Sequence, residues 1–243
     1  MNSVRTAAEK ADALFLKEEK RPLFVNDWVN MFFLHWAVDP KQLQPLIPLP
    51  LDLYMGKAWV SVVAFEMKKL RLSGLGALGE IVCKPASDVH FLNLRTYVQG
   101  EKGGGIFFMK EWITSLLAVP LGPLLFGLPY QFAFAQRKLN RVTVQTPAQR
   151  VLQFAGRATT PLHKAEQGSI EEFLLERYLA YPHLWGVTRF FRISHAPWEF
   201  NDARVILHRS DLLGNFPCAG PPQLAHMTPG SFDVWMGPPH FLT

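Results

Sequence analysis

Residues 28–38 (WVNMFFLHWAV) are almost continuously apolar and rich in aromatic and β-branched side chains, which predicts a buried strand. Asp39-Pro40 ends it: aspartate caps helices and proline suits a first helical turn, while Pro45 and Pro48 keep the following helix short. Residues 58–67 (AWVSVVAFEM) predict a second strand. Val89–Val98 (VHFLNLRTYV) is more informative, because strand side chains alternate between faces. One face carries Phe91, Asn93, Arg95 and Tyr97, the other Leu92, Leu94 and Val98. The apolar set must meet a core, so the polar set meets water or a cavity. Gln99–Gly104 reads as a hairpin loop, with Gly105–Trp112 returning as the partner strand.

Later strands are expected near Arg141–Gln145, Arg150–Ala158, Gly186–His195 and Arg204–Arg209. Ala7–Lys20 reads as a peripheral amphipathic helix. A capping box, Ser169 to Glu172, opens another helix with Ile170, Phe173, Leu174 and Tyr178 on one stripe. Trp112–Tyr130 is the most apolar stretch. Its Pro120, Gly122, Pro123, Gly127 and Pro129 make it a buried broken helix rather than a membrane span. After Gly214 the chain is rich in proline and glycine and reads as a wrapping tail with one short strand at Asp233–Met236. Many strands and few helices predict an α+β, mostly β, fold. The 243 residues read as one domain: a peripheral helix over 1–22, a barrel over 23–213 and the tail over 214–243.

Composition narrows the function by exclusion. With 49% hydrophobic and 19% charged residues, the chain can build a core and is not a disordered type. Two cysteines, Cys83 and Cys218, are too few for a disulfide scaffold or a cysteine-rich zinc site. The net charge of +5 comes from scattered bases rather than one stripe, so nucleic acid is not an expected partner. The charged N-terminus lacks the apolar run of a signal peptide, and the expected location is cytoplasmic. Gly74–Gly79 (GLGALG) matches the dinucleotide pattern G-x-G-x-x-G, but Pro85 follows closely and no βαβ unit surrounds it, so it reads as a flexible glycine loop. The eight histidines show no close metal-ligand spacing, and there is no nucleophile elbow. No metal and no cofactor are expected.

What remains is polar chemistry embedded in apolar sequence: His35 in FFLHW; Asn93, Arg95 and Tyr97 on one strand face; Lys110 and Glu111 in FFMKEW; Tyr130 after Pro129; Arg177 and Tyr178 closing the capped helix; His195 and Trp198 in SHAPW. Buried charges of this kind are costly unless paired, so they mark either a structural ion-pair network, such as Arg95 with Glu111, or a shared pocket. In the pocket reading Arg95 clamps an anionic or carbonyl oxygen, Tyr130 donates a hydrogen bond, and Glu111 or His195 handles protons. His35, Asn93, Tyr97, Lys110, Arg177, Tyr178 and Trp198 are the further candidate ligand contacts.

At these residues the chain resembles the YqjF-type family of uncharacterised bacterial proteins, domain-of-unknown-function family 2071. The matching pieces are MFFLHWAVDPKQLQPLIPLPLDL, GKAWVSVVAFEM, NLRTYV, FFMKEW, LFGLPY, SIEEFLLERY, SHAPW and LAHMTPGSFDVW, in order over most of the chain. That family is similar to acetoacetate decarboxylase, which implies a cone-shaped, largely antiparallel β-barrel around a pocket. Decarboxylases of that kind use a Schiff-base lysine made nucleophilic by a neighbouring lysine and by desolvation. The lysine pair falls at Tyr130-Gln131 here and the decarboxylase glutamate at Phe91, and neither tyrosine nor glutamine forms an imine. Lys110 is the lysine nearest the pocket motifs, on the strand parity of Ile106, Phe108 and Trp112. Three readings follow: a small-molecule-binding barrel without covalent catalysis, a decarboxylase-like enzyme using Lys110, and a non-catalytic scaffold presenting the apolar 112–128 stretch to a partner or to a second copy.

Overall fold

The structure, a computed structural model, describes residues 6–218 and 220–242. The first five residues of the expected N-terminal segment, and positions 219 and 243 of the expected tail, lie outside the described residues. Fourteen strands form one sheet system: β1 Phe24–Val38, β2 Ala58–Leu72, β3 Val89–Gly100, β4 Gly103–Ile113, β5 Tyr130–Phe132, β6 Phe134–Lys138, β7 Arg141–Gln145, β8 Val151–Ala158, β9 Leu179–Ala180, β10 His183–Leu184, β11 Val187–Ser194, β12 Asn201–Arg209, β13 Leu224–Met236 and β14 His240–Phe241. Five helices accompany them: α1 Ala7–Glu18, α2 Pro40–Leu43, α3 Gly76–Cys83, α4 Ala118–Phe126 and α5 Ile170–Leu175.

The sheet order runs β11-β9-β4-β3-β2-β1-β13, and β11 pairs back onto β13 through Ile193–Met236 and Ser194–Trp235. These pairings close a ring. From β13 the strands β12, β8, β7 and β6 continue outward as an arm, which folds over the outside of β1 and seats Phe154 edge-on against Phe32. The ring is therefore buried on both faces. Phe33, Val63, Ile106 and Phe108 pack inside, whereas Phe32, Leu34, Val62, Leu92 and Leu94 pack under the arm. Burial on both faces explains why β1 reads as a continuous apolar run rather than an alternating one.

Three expectations change. Residues 224–236 do not wrap the barrel as a tail; they form a strand between β1 and β12. Pro229 is accommodated because it falls opposite Asn30, whose φ of 57° interrupts the ladder where proline lacks a donor. The GLGALG segment is a short turn, Gly74-Leu75, running into the first four residues of α3, and Gly79 lets that helix press onto β2, since a Cβ there would lie 2.5 Å from the Leu72 carbonyl oxygen. Because β3 runs antiparallel to β2, this helix belongs to no βαβ unit. Finally, α4 is not buried all round: Leu121, Leu124 and Leu125 are exposed, as are Leu116 and Leu117 before it.

Candidate functional site

The site is built from one row of cross-strand neighbours. Val63 on β2 lies beside Asn93 on β3, Asn93 beside Glu111 on β4, and Glu111 beside Tyr130 on β5. One step along the strands, Ser61, Arg95 and Phe108 form a second row. Between the rows β4 carries an extra residue, Met109, so Lys110 pairs with Leu94 and Phe108 with Arg95. A bulge of this kind reverses the alternation of faces. Glu111 is thereby brought inward with Phe108 and Ile106. Lys110 turns to the opposite face, its amino group 5.6 Å from the Phe216 ring centroid. The expected parity of Lys110 with Ile106 and Phe108 is thus corrected, and no lysine borders the cavity among the described residues.

The inner face encloses a cavity of about 70 Å³ bordered by Asn93, Arg95, Glu111, Tyr130, Arg177, His195 and Trp198 within an aromatic wall that includes Trp28, Phe33 and Phe65. Three buried polar atoms here have no partner: Asn93 Oδ1, Arg95 Nε and Glu111 Oε2. Buried polar atoms are nearly always satisfied, and the three residues that carry these orphans all border one hollow, which makes it the place for a guest or water. The Arg95–Glu111 ion pair, the alternative to a shared pocket, is not among those formed within 4.0 Å by the described residues. Burial nevertheless pushes the Glu111 carboxyl well above its usual range, with the Arg95 charge opposing, so its neutral form is favoured. Burial, and then the charge of Glu111, raises the Tyr130 phenol.

Helix α5 sets the position of Arg95. It ends at Leu175, earlier than the sequence stripe implied, because side chains take the carbonyls of its last turn. Arg177 Nε donates to Phe173 O at 2.6 Å, Tyr97 and Arg95 donate to Leu174 O at 2.9 and 3.2 Å, and Trp198 Nε1 donates to Leu175 O at 3.1 Å. Two guanidinium groups at the negative end of a helix are also favourably placed. Arg177 borders the cavity but is neutralised by Asp52 at 2.8 Å, which makes it a clamp on the helix rather than a free cation.

His195 follows β11 and packs against the rings of both Tyr178 and Trp198, with centroids at 4.6 and 4.4 Å. Its Nδ1 lies 2.8 Å from the Ala196 carbonyl oxygen, which fixes the proton there and leaves Nε2 as an acceptor. Burial holds its pKa down at about 4. Tyr178 is not on the α5 stripe and does not border the cavity; it backs His195 and donates to Glu176.

His35 and Tyr97 lie behind the cavity wall. Tyr97 gives its only proton to Leu174 O, so the chain behind it has one direction. Ser61 Oγ donates to Tyr97 (2.7 Å), His35 Nδ1 to Ser61 (2.6 Å), and His226 Nδ1 to His35 Nε2 (3.2 Å). His226 Nε2 is left facing Asp202 at 3.9 Å. Ser61 and His226 escaped the sequence reading, although each is a polar residue set in an apolar strand.

Residues 25–231 match the family DUF2071, described as an uncharacterized conserved protein. The uncharacterized protein YqjF of Bacillus subtilis (strain 168) is 31% identical over 186 residues, covering 73% of this chain and 75% of that protein. Similar solved structures include the enduracididine biosynthesis enzyme MppR complexed with pyruvate, at TM-score 0.62 and 13% identity over 92% of this chain and 91% of that one. An acetoacetate decarboxylase from Legionella pneumophila has the same score and identity, over 92% and 88%. At that identity the likeness concerns the fold alone, which is of the acetoacetate decarboxylase-like type. With the family match spanning the whole ring from β1 into β13, the chain belongs to DUF2071, the family of YqjF.

Proposed function

We propose that the chain binds a small molecule carrying a carboxylate or carbonyl group in the Arg95–Glu111–Tyr130 cavity, and does so without a covalent lysine bond. The observation that carries this reading is the trio of unpartnered buried atoms, Asn93 Oδ1, Arg95 Nε and Glu111 Oε2, on three side chains that border one hollow. Arg95 is a fixed cation with spare donors, suited to an anionic oxygen. A protonated Glu111 donates where an ionised carboxylate would repel, and Tyr130 adds a phenolic donor. His195, which borders the same cavity, keeps an Nε2 lone pair, so the set holds both an acid and a base for proton transfer beside a carbonyl. The pyruvate named with MppR, a protein of this fold, agrees with that ligand class. Imine chemistry has no support, because Lys110 lies on the other face of β4. Two free cysteines, both buried, fit a cytoplasmic protein, and no described helix is long and apolar enough to cross a membrane.

The test is a melting-temperature screen of small oxo acids against wild type and Arg95→Met, since a ligand of the native state raises its melting point. A rise in wild type that disappears in the variant supports the proposal. Equal responses in both proteins remove Arg95 from the site.

A further inference from the structure

A second cavity, of about 250 Å³, lies under α3 and α4. Apart from the Tyr130 hydroxyl and the Cys83 thiol, its lining side chains carry no polar atoms. Five residues border both cavities: Met67, Phe91, Leu128, Tyr130 and Met236. The two hollows therefore share a wall, and two of its five members are methionines, the apolar side chains that most readily change shape. Tyr130 sits in this wall because residue 122 on α4 is glycine; a Cβ there would lie 2.2 Å from the Tyr130 ring.

The polar cavity alone holds only a few heavy atoms. Its apolar neighbour is larger, and it opens between Val82, Leu117, Leu121 and Leu125, all of them exposed. An engineered apolar cavity of about 150 Å³ accepts benzene, so this chamber has room for a tail of roughly six to ten carbons. We infer that the ligand is an amphiphile, with a carboxylate or carbonyl head among Arg95, Glu111 and Tyr130 and an apolar tail in the chamber beneath α3 and α4. This rests on the head-group reading above and adds the substrate class to it. The contiguity of the two cavities and the match of each lining to one half of such a molecule favour this occupant over a protein surface.

The experiment is calorimetric titration of the full chain with pyruvate, 2-oxohexanoate, 2-oxooctanoate and 2-oxodecanoate, with octan-1-ol as the headless control. Affinity is expected to tighten by up to about fourfold per added methylene until the chamber is full. Leu121→Glu, at an exposed position on the mouth, is expected to abolish the dependence on chain length while leaving pyruvate binding unchanged. Val82→Glu, on the facing helix, is expected to do the same, which separates the effect from a folding defect in either variant. Equal affinity for all four acids overturns the tail chamber and leaves the head-group reading standing. Octan-1-ol binding as tightly as 2-oxooctanoate overturns both. Length-independent binding together with a dimer that Leu121→Glu dissociates assigns the mouth to a second copy of the chain and overturns the proposal.

Discussion

Arg95 donates from Nη2 to the carbonyl oxygen of Leu174 at 3.2 Å, so a buried guanidinium is anchored on a helix end instead of on a carboxylate. The same carbonyl accepts Tyr97, and it keeps a partner when Arg95 is removed. Arg95→Met is therefore expected to change stability by no more than about 1 kcal/mol, or to raise it. Removing one member of a true buried ion pair costs roughly 3–5 kcal/mol. Urea unfolding of the variant separates the two, and a loss of that larger size means that Arg95 is a structural ion-pair residue.

Glu111 has a pH signature of definite sign. Its folded-state pKa is raised, chiefly by burial. As pH climbs past the unfolded value, the unfolded chain ionises while the folded one stays protonated, so stability is lost with rising pH until the folded pKa is reached. Glu111→Gln removes that loss. The variant should match wild type near pH 4 and exceed it at pH 7, the gap growing by about 1.4 kcal/mol for each pH unit inside the window. A constant gap across that range contradicts the assignment.

The histidines act in the opposite direction. His195 and His226 are both held down at about 4, with burial as the largest cause, and His35 is lowered as well. Each is neutral when folded and takes a proton in the unfolded chain near pH 6.5, so stability is lost as pH falls from about 6.5 toward 4. For His195 and His226 this amounts to roughly 3 kcal/mol each at the acid end. Denaturant titrations between pH 7 and 4.5 should show a steep fall that flattens by about one proton in His195→Gln or His226→Gln.

The one-way chain from His226 to Leu174 O predicts coupling. Ser61→Ala leaves His35 Nδ1 without its acceptor in a buried site, at a cost of about 1–3 kcal/mol. Tyr97→Phe breaks the next link at similar cost. Because both remove the Ser61–Tyr97 bond, the double variant should lose clearly less than the sum of the two. Strict additivity in a double-mutant cycle would show that the two hydroxyls act independently.

Much of this was legible in the sequence, for identifiable reasons. The polar face of Asn93 and Arg95 could be read because strand alternation is rigid, and the apolar 28–38 run because burial on both faces leaves no polar positions. Residues 141–145 matched their strand as expected. The direction of Lys110 was not legible because the extra residue at Met109 reverses parity, and a bulge leaves no mark in FFMKEW. The 224–236 strand was hidden by Pro229 and Gly230, which look like a turn until Asn30 is found opposite them. Helix α5 was overextended because the side chains that end it, Arg95, Tyr97 and Trp198, come from elsewhere in the chain. The His35–Ser61–Tyr97 relay needed the registers of β1, β2 and β3 together.

A crystal structure of the chain soaked with 2-oxohexanoate bears most directly on the central claim. The expected result is density for the acid between Arg95, Glu111 and Tyr130, with the oxo-carboxylate end within hydrogen-bond distance of Arg95 and no bond to any lysine. An unliganded cavity in which Arg95 and Glu111 have closed into a direct ion pair would contradict it.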